Sequence, residues 1–374
     1  MPELLTGYDG FMPSAEDVPG TPATRQGVLL AAASFAVLVA VAFGWPPARR
    51  GETDFLSFYA GARLVGTPHL YSHEAANQIQ REFANPQEVR AYIRPPFYAV
   101  LLWPLAQLPY RAAHAVWQLL NVAALGVFVV LWWPRPLAAL VCCWFLPIWI
   151  SFTVGQDMPL VLVWVSAALW LLRRKRDLAA GLVLALCAAK FHLFLLAPLL
   201  IVAKRLWRFG IGLLAGGASL AAVSFAVAGW NWPAQYLQLL EANEKFQASR
   251  AYMPNLLGLF HRMPHAAVWV GLLTVVVAAA TWYAVQRTET DFALACTLAG
   301  SLLISPHAFY YDCAALLPLF LILAERASPG RSLAFAMLTG LSIPLIGQAA
   351  ILTPLPWMAY EAYRRARRAS KAAA

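Results

Sequence analysis

Apolar runs of bilayer length recur along almost the whole chain, divided by short basic clusters. This pattern constrains the fold more than any other feature. The hydrocarbon core of a membrane offers backbone N–H and C=O groups no water, so whatever spans it must be a helix or a closed barrel. The runs show no period-2 alternation, which removes the barrel. With 12% charged residues against a usual ~25% in soluble domains, and a mean hydropathy of +0.60, the chain reads as an all-α polytopic membrane protein.

At about 20 residues per crossing, with shorter segments tolerated beside polar cavities, the candidate spans are 28–44, 111–133, 137–153, 157–172, 178–190, 191–203, 209–229, 266–286, 291–304, 308–324, 331–347 and 349–363. Several are short, so the count is about 11–12. Residues 28–363 then form one membrane domain with no soluble catalytic domain. No tandem repeat is visible. Residues 1–27 are polar, acidic and rich in Pro and Gly, and read as a disordered tail rather than a cleavable signal peptide. Residues 364–374 form a basic tail.

The net charge of +10 raises the question of a nucleic-acid partner. The positions answer against one. Arg173-Arg174-Lys175-Arg176, Lys204-Arg205 and the C-terminal arginines all lie between or beyond apolar runs, where they act as topology signals. Placing the N-terminus in the cytoplasm puts these clusters inside. The two long connections, 45–110 and 230–265, then fall outside. The implied location is a bacterial inner (plasma) membrane, with membrane lipids as partners. The five cysteines lie in apolar segments without ligand spacing and read as small buried hydrophobes. No metal signature and no phosphate-cradling glycine loop is present, so no cofactor is implied.

The first outer connection carries three helical candidates. Residues 54–66 are apolar and aromatic, and suit a helix lying in the interface. Residues 73–84 are more polar. Phe97 to Leu108, after Pro95-Pro96, is too short to span and reads as a re-entrant or surface helix.

On this topology the unusual polar residues collect on the outer side. Asp54 lies just beyond the first span, where a carboxylate is a candidate catalytic base at the bilayer surface. Gly155-Gln156-Asp157 joins two spans. Lys190 and His192 sit between two short apolar segments. Asn255 follows Met253-Pro254, and Asp312 lies a turn beyond Ser305-Pro306-His307. Ionisable groups at membrane depth are costly and face a cavity or a partner, so the set suggests one outward-opening pocket. Each residue also has a plainer reading. Asp54 and Asp157 sit where helix N-caps belong. Lys190 can snorkel to the head groups. Arg94 can anchor its loop there, the histidines can be satisfied structural groups, and Asp312 can pair with Lys190 or an arginine.

The ordered series Asp54-Phe55, Tyr59-Ala60-Gly61-Ala62-Arg63, Gly66, Leu70-Tyr71, Arg94-Pro95-Pro96-Phe97, Pro104-Leu105, Leu108-Pro109, Trp117, Gly155-Gln156, Lys190 and Ser305-Pro306-His307 resembles glycosyltransferase family 87, over about 45–325. The resemblance implies the C-type glycosyltransferase bundle, with a large first outer loop carrying interface helices. It also implies inverting transfer of a sugar, mannose or a pentose such as arabinofuranose, from a polyprenyl-phosphate donor to a cell-envelope lipid or glycan acceptor. Asp54 then corresponds to the catalytic base. Lys190, His307, Arg94, Gln156, Asp157, Asn255, His192 and Tyr59 fall around donor phosphate or substrate. One departure is Arg94, where the family often has an aromatic before Pro-Pro; it leaves room for a different donor or acceptor. The competing class is a lipid or sugar transporter or flippase. That class would place its polar groups near the midplane between two similar halves.

Overall fold

A computed structural model describes residues 25–83, 90–244, 250–324 and 363–364. The expected spans 331–347 and 349–363 and most of both expected tails lie outside these residues. Among the described residues the chain forms helices and no strand. The first span is α1 (Arg25–Gly44), followed by a short turn of helix, α2 (Pro46–Arg50). The first long connection carries α3 (Phe55–Leu64), α4 (His73–Phe83) and α5 (Pro96–Ala106). Next come α6 (Tyr110–Trp132), α7 (Pro136–Trp144), α8 (Leu146–Val154), α9 (Met158–Arg173) and α10 (Asp177–Ala185). A stretch of 3-10 turns (Leu186–Phe194) leads to α11 (Ala197–Ala203) and α12 (Trp207–Ala228). The remainder is α13 (Trp232–Glu244), α14 (Leu256–Phe260), α15 (Ala266–Arg287), α16 (Thr290–Ile304), 3-10 turns at Tyr310–Leu316 and α17 (Leu317–Ala324).

Five described helical segments are long and apolar enough to cross a membrane, Arg25–Gly44, Tyr110–Trp132, Asp177–Phe194, Trp207–Ala228 and Ala266–Arg287. The pair α7–α8, bent by 61°, makes a sixth if counted as one span. The expected short crossings 157–172 and 291–304 are the apolar helices α9 and α16. Two other apolar runs are interrupted locally. Pro147 follows the α7–α8 break, and the backbone of Lys190 leaves helical geometry at φ −129°, ψ 51°. The first break bends the expected span 137–153, and the second falls at the expected boundary between 178–190 and 191–203.

Small residues set the closest pairing, α10 on α12. A side chain at Gly181 or Gly212 would strike the backbone of the facing helix, and one at Gly216 would strike Ala185. Helices in lipid gain mainly from such close van der Waals approach, because the tails are as apolar as leucine.

The core is in two parts. The larger runs through the spans. The smaller lies under the first connection and is built from Phe55, Phe58, Tyr59, Tyr98, Tyr110 and Trp117. Phe55 stacks on Trp117 at 5.2 Å between ring centroids, and Phe58 meets the same indole edge-on at 5.9 Å. More of α3 is enclosed than an interface helix requires, since every residue of it except Arg63 is buried. Its apolar residues run round the whole helix rather than along one stripe, and a helix of that kind belongs inside. By contrast α5 buries one face and leaves Leu101 and Trp103 on the other exposed.

Candidate active site

The turn Gly155-Gln156-Asp157 is the hinge of the site. Gly155 sits at φ +73°, and a Cβ there would stand 2.7 Å from Thr53 Oγ1 and 3.3 Å from the Phe55 amide nitrogen. Only glycine lets this turn lie against residues 53–55. The Asp54 N–H then donates to the Val154 carbonyl at 2.7 Å, and the Trp117 indole N–H donates to the Gly155 carbonyl at 3.0 Å. Gln118, buried on α6, donates to the carbonyls of Phe152 and Ala42 and ties the end of α8 to α1. The local fold thus carries Asp54 and Gln156 together, although they are 102 residues apart in sequence.

A continuous chain of polar contacts starts at Asp54. One carboxylate oxygen accepts from Gln156 Nε2 at 2.7 Å, and the other pairs with Arg90 Nε at 3.2 Å. Gln156 Oε1 in turn accepts from Arg94 Nη2 at 3.2 Å. Arginine can only donate, which fixes the amide orientation and turns its N–H₂ toward Asp54. Arg94 pairs with Asp157 at 3.3 Å and lies over the Phe58 ring at 5.1 Å. Asp157 also faces Lys190 Nζ at 3.3 Å. Lys190 completes the chain with Asp312 at 2.7 Å and lies 4.7 Å from the centre of the Tyr311 ring. The second oxygen of Asp312 accepts from the Phe309 N–H at 2.9 Å.

Four plainer readings are corrected. Asp157 makes no side-chain cap bond at the start of α9; it is given over to Arg94 and Lys190. Lys190 does not snorkel, because its side chain is 1% exposed between two carboxylates. Asp54, at the cap position of α3, makes no cap bond either, and its side chain is 27% exposed. Arg94 is an internal ligand rather than a head-group anchor, at 11% exposure. Burial lowers its pKa, but the Asp157 carboxylate together with Tyr98 and Tyr311 raises it further than burial lowers it, so the guanidinium stays charged.

The remaining expected residues sit around this chain. His192 and His307 stand edge to face at 6.2 Å, and His307 packs on Phe309 at 4.7 Å. Asn255 accepts from the Gly258 N–H at 2.8 Å, capping α14, and donates to the Ser305 carbonyl at 3.0 Å. It fastens the second long connection to the turn that bears His307. Tyr59 faces away, into the aromatic core, with its hydroxyl donating to the Leu108 carbonyl at 2.8 Å. The residue that sequence reading passed over is Arg90. Its signal was faint: an arginine four positions before Arg94, in a connection already rich in candidates.

A carboxylate held at the mouth of a buried, charge-balanced polar chain is suited to proton abstraction beside an anionic leaving group. The family whose sequence model matches the chain is glycosyltransferase family 87, over residues 92–306, more than half of the length. The chain belongs to glycosyltransferase family 87. The match contains Arg94, Gln156, Asp157, Lys190, His192 and Asn255; Asp54, Tyr59 and Arg90 precede it, and His307 follows it by one residue. Among curated proteins and solved structures, no match to this glycosyltransferase is found.

Proposed function

We propose that this membrane glycosyltransferase moves a sugar, mannose or a pentose, from a polyprenyl-phosphate donor to a lipid or glycan acceptor of the cell envelope, with inversion at the anomeric carbon. Asp54 is the base. It takes the proton of the acceptor hydroxyl as that oxygen bonds to the anomeric carbon. The bond from that carbon to the phosphate oxygen breaks, its electron pair leaves with the phosphate, and polyprenyl phosphate departs. The observation that carries this reading is the setting of Asp54: partly open, oriented by Gln156, and backed by a guanidinium and an ammonium whose own charges are matched. Arg94 and Lys190 form the floor that holds Gln156 and Asp157 in place. His192 and His307 border the donor side. Asn255 and Tyr59 serve the framework.

Helix polarity supports the proposed sidedness. From Asp157, α9 runs about 24 Å to Arg173, which pairs with Asp291 at the far end of the bundle. Lys204 reaches the Thr288 carbonyl at that same end, next to Arg287. Basic ends face the cytoplasm, so Asp54 works on the outer face and α1 enters from a cytoplasmic N-terminus.

The test is transfer by purified protein in lipid nanodiscs from radiolabelled polyprenyl-phosphate sugars to total envelope lipid. Asp54→Asn is expected to lower turnover at least about 100-fold, the usual scale for loss of a general base, with donor binding retained. Wild-type rates in Asp54→Asn would refute the assignment. Labelled sugar or lipid crossing a sealed bilayer without transfer would point to a transporter.

A further inference from the structure

Asp54 is occupied on both oxygens, by Gln156 and by Arg90. In an inverting displacement the attacking and leaving oxygens lie on opposite sides of the anomeric carbon, on the order of 4.5–5 Å apart in a near-attack geometry. A base serving one oxygen and a cation serving the other therefore stand well apart during transfer. Arg90 and Asp54 stand 3.2 Å apart. That is closer than a base and a cation serving the two opposed oxygens can stand.

The three cations of the polar chain are not equivalent. Lys190 faces two carboxylates, and Arg94 faces Asp157 and Gln156; both are almost fully enclosed. Arg90 is 37% exposed, and its Nη1 is enclosed without a hydrogen-bond partner among the described residues. Of the three, it alone combines a partly exposed side chain with an unpaired donor. A guanidinium presents a planar fork suited to phosphate. Gln156, pinned through its oxygen by Arg94, holds the other oxygen of Asp54 through a contact that does not involve Arg90.

We infer that Arg90 is a donor-responsive clamp on the catalytic base: it covers Asp54 in the free enzyme and transfers to the phosphate of the bound polyprenyl-phosphate group. This inference rests on the reading of Asp54 as base and of a phosphate-bearing lipid as donor. It adds the reason the base acts only when a donor is present.

The experiment uses full-length protein in nanodiscs, with undecaprenyl phosphate as probe and undecaprenol and inorganic phosphate as comparisons. Two quantities are measured. One is affinity. The other is carbodiimide labelling of Asp54, read by mass spectrometry against the exposed Glu74. Undecaprenyl phosphate is expected to raise Asp54 labelling at least threefold. Undecaprenol should leave it unchanged, and inorganic phosphate should act only at far higher concentration. Arg90→Gln should label at the raised level without ligand and bind undecaprenyl phosphate about 10- to 100-fold more weakly, the scale of a lost charged hydrogen bond. Arg90→Lys should recover part of both. Binding with unchanged Asp54 labelling, or undiminished binding by Arg90→Gln, overturns the clamp and leaves the transferase reading standing. Equal effects of undecaprenol and its phosphate also overturn the clamp. Failure of undecaprenyl phosphate to bind at all overturns the clamp together with the lipid-donor reading.

Discussion

Replacing Lys190 with methionine keeps the length of the side chain and removes its charge from between Asp157 and Asp312. At 2.7 and 3.3 Å, and an effective dielectric of about 20, each pairing is worth roughly 5–6 kcal/mol of gross attraction. Desolvation of the three groups offsets most of that. The variant, however, does not recover the desolvation of the two carboxylates. Asp157 keeps Arg94, whereas among the described residues Asp312 keeps as hydrogen-bond donor to its side chain only the Phe309 N–H. Removing one member of a buried pair typically costs about 3–5 kcal/mol, and the upper half of that range is expected here. All five cysteines are buried and free, so a thiol-reactive fluorophore reports unfolding directly. Lys190→Met should lower the thermal midpoint by about 5 °C, at a little over about 1 °C per kcal/mol for a chain of this size. The decisive comparison is Lys190→Met with Asp312→Asn. The double variant leaves Arg94 and Asp157 as a neutral pair and should regain most of the lost stability. Wild-type stability in Lys190→Met, or a double variant as unstable as the sum of the singles, would refute the view that these charges form one balanced unit.

Two further outcomes follow from the same geometry. Gly155→Ala forces a Cβ onto Thr53 at a positive φ and should cost about 2 kcal/mol; the same thermal assay checks it, and turnover should fall because residues 53–55 are displaced. Gln156→Leu removes the only link between Arg94 and Asp54 in the described chain of contacts, so kcat should drop about 10-fold or more with little change in donor affinity, as measured by steady-state transfer.

Much of the site could be read before any coordinates. Asp54, Gln156, Asp157, Lys190 and Asp312 stood out because charge and amide groups in an apolar chain are expensive unless matched. Their partners were harder to read. Asp157 looked like a cap because Asp before an apolar helix usually is one, and that rule is local. Its actual partners come from a loop 63 residues earlier and from a break in a later helix. Arg90 was invisible for the same reason: nothing near it in sequence marks it as the partner of Asp54. The family resemblance places Tyr59 around the substrate, yet its ring points into the aromatic core.

The sequence by itself determined that this protein is a bundle of membrane helices, because apolar length and the absence of period-2 alternation are properties of a single segment and leave the backbone no other way to satisfy its hydrogen bonds in lipid. It also determined which residues are too polar to face lipid. Only the tertiary structure decided which of those residues meet. The contacts that make the site join positions 102 and 122 residues apart, and they exist because Gly155 allows one turn to lie on another and because the helix breaks at Lys190. Pairing of buried charges depends on distances of a few ångströms between separate elements, and no local pattern encodes those distances.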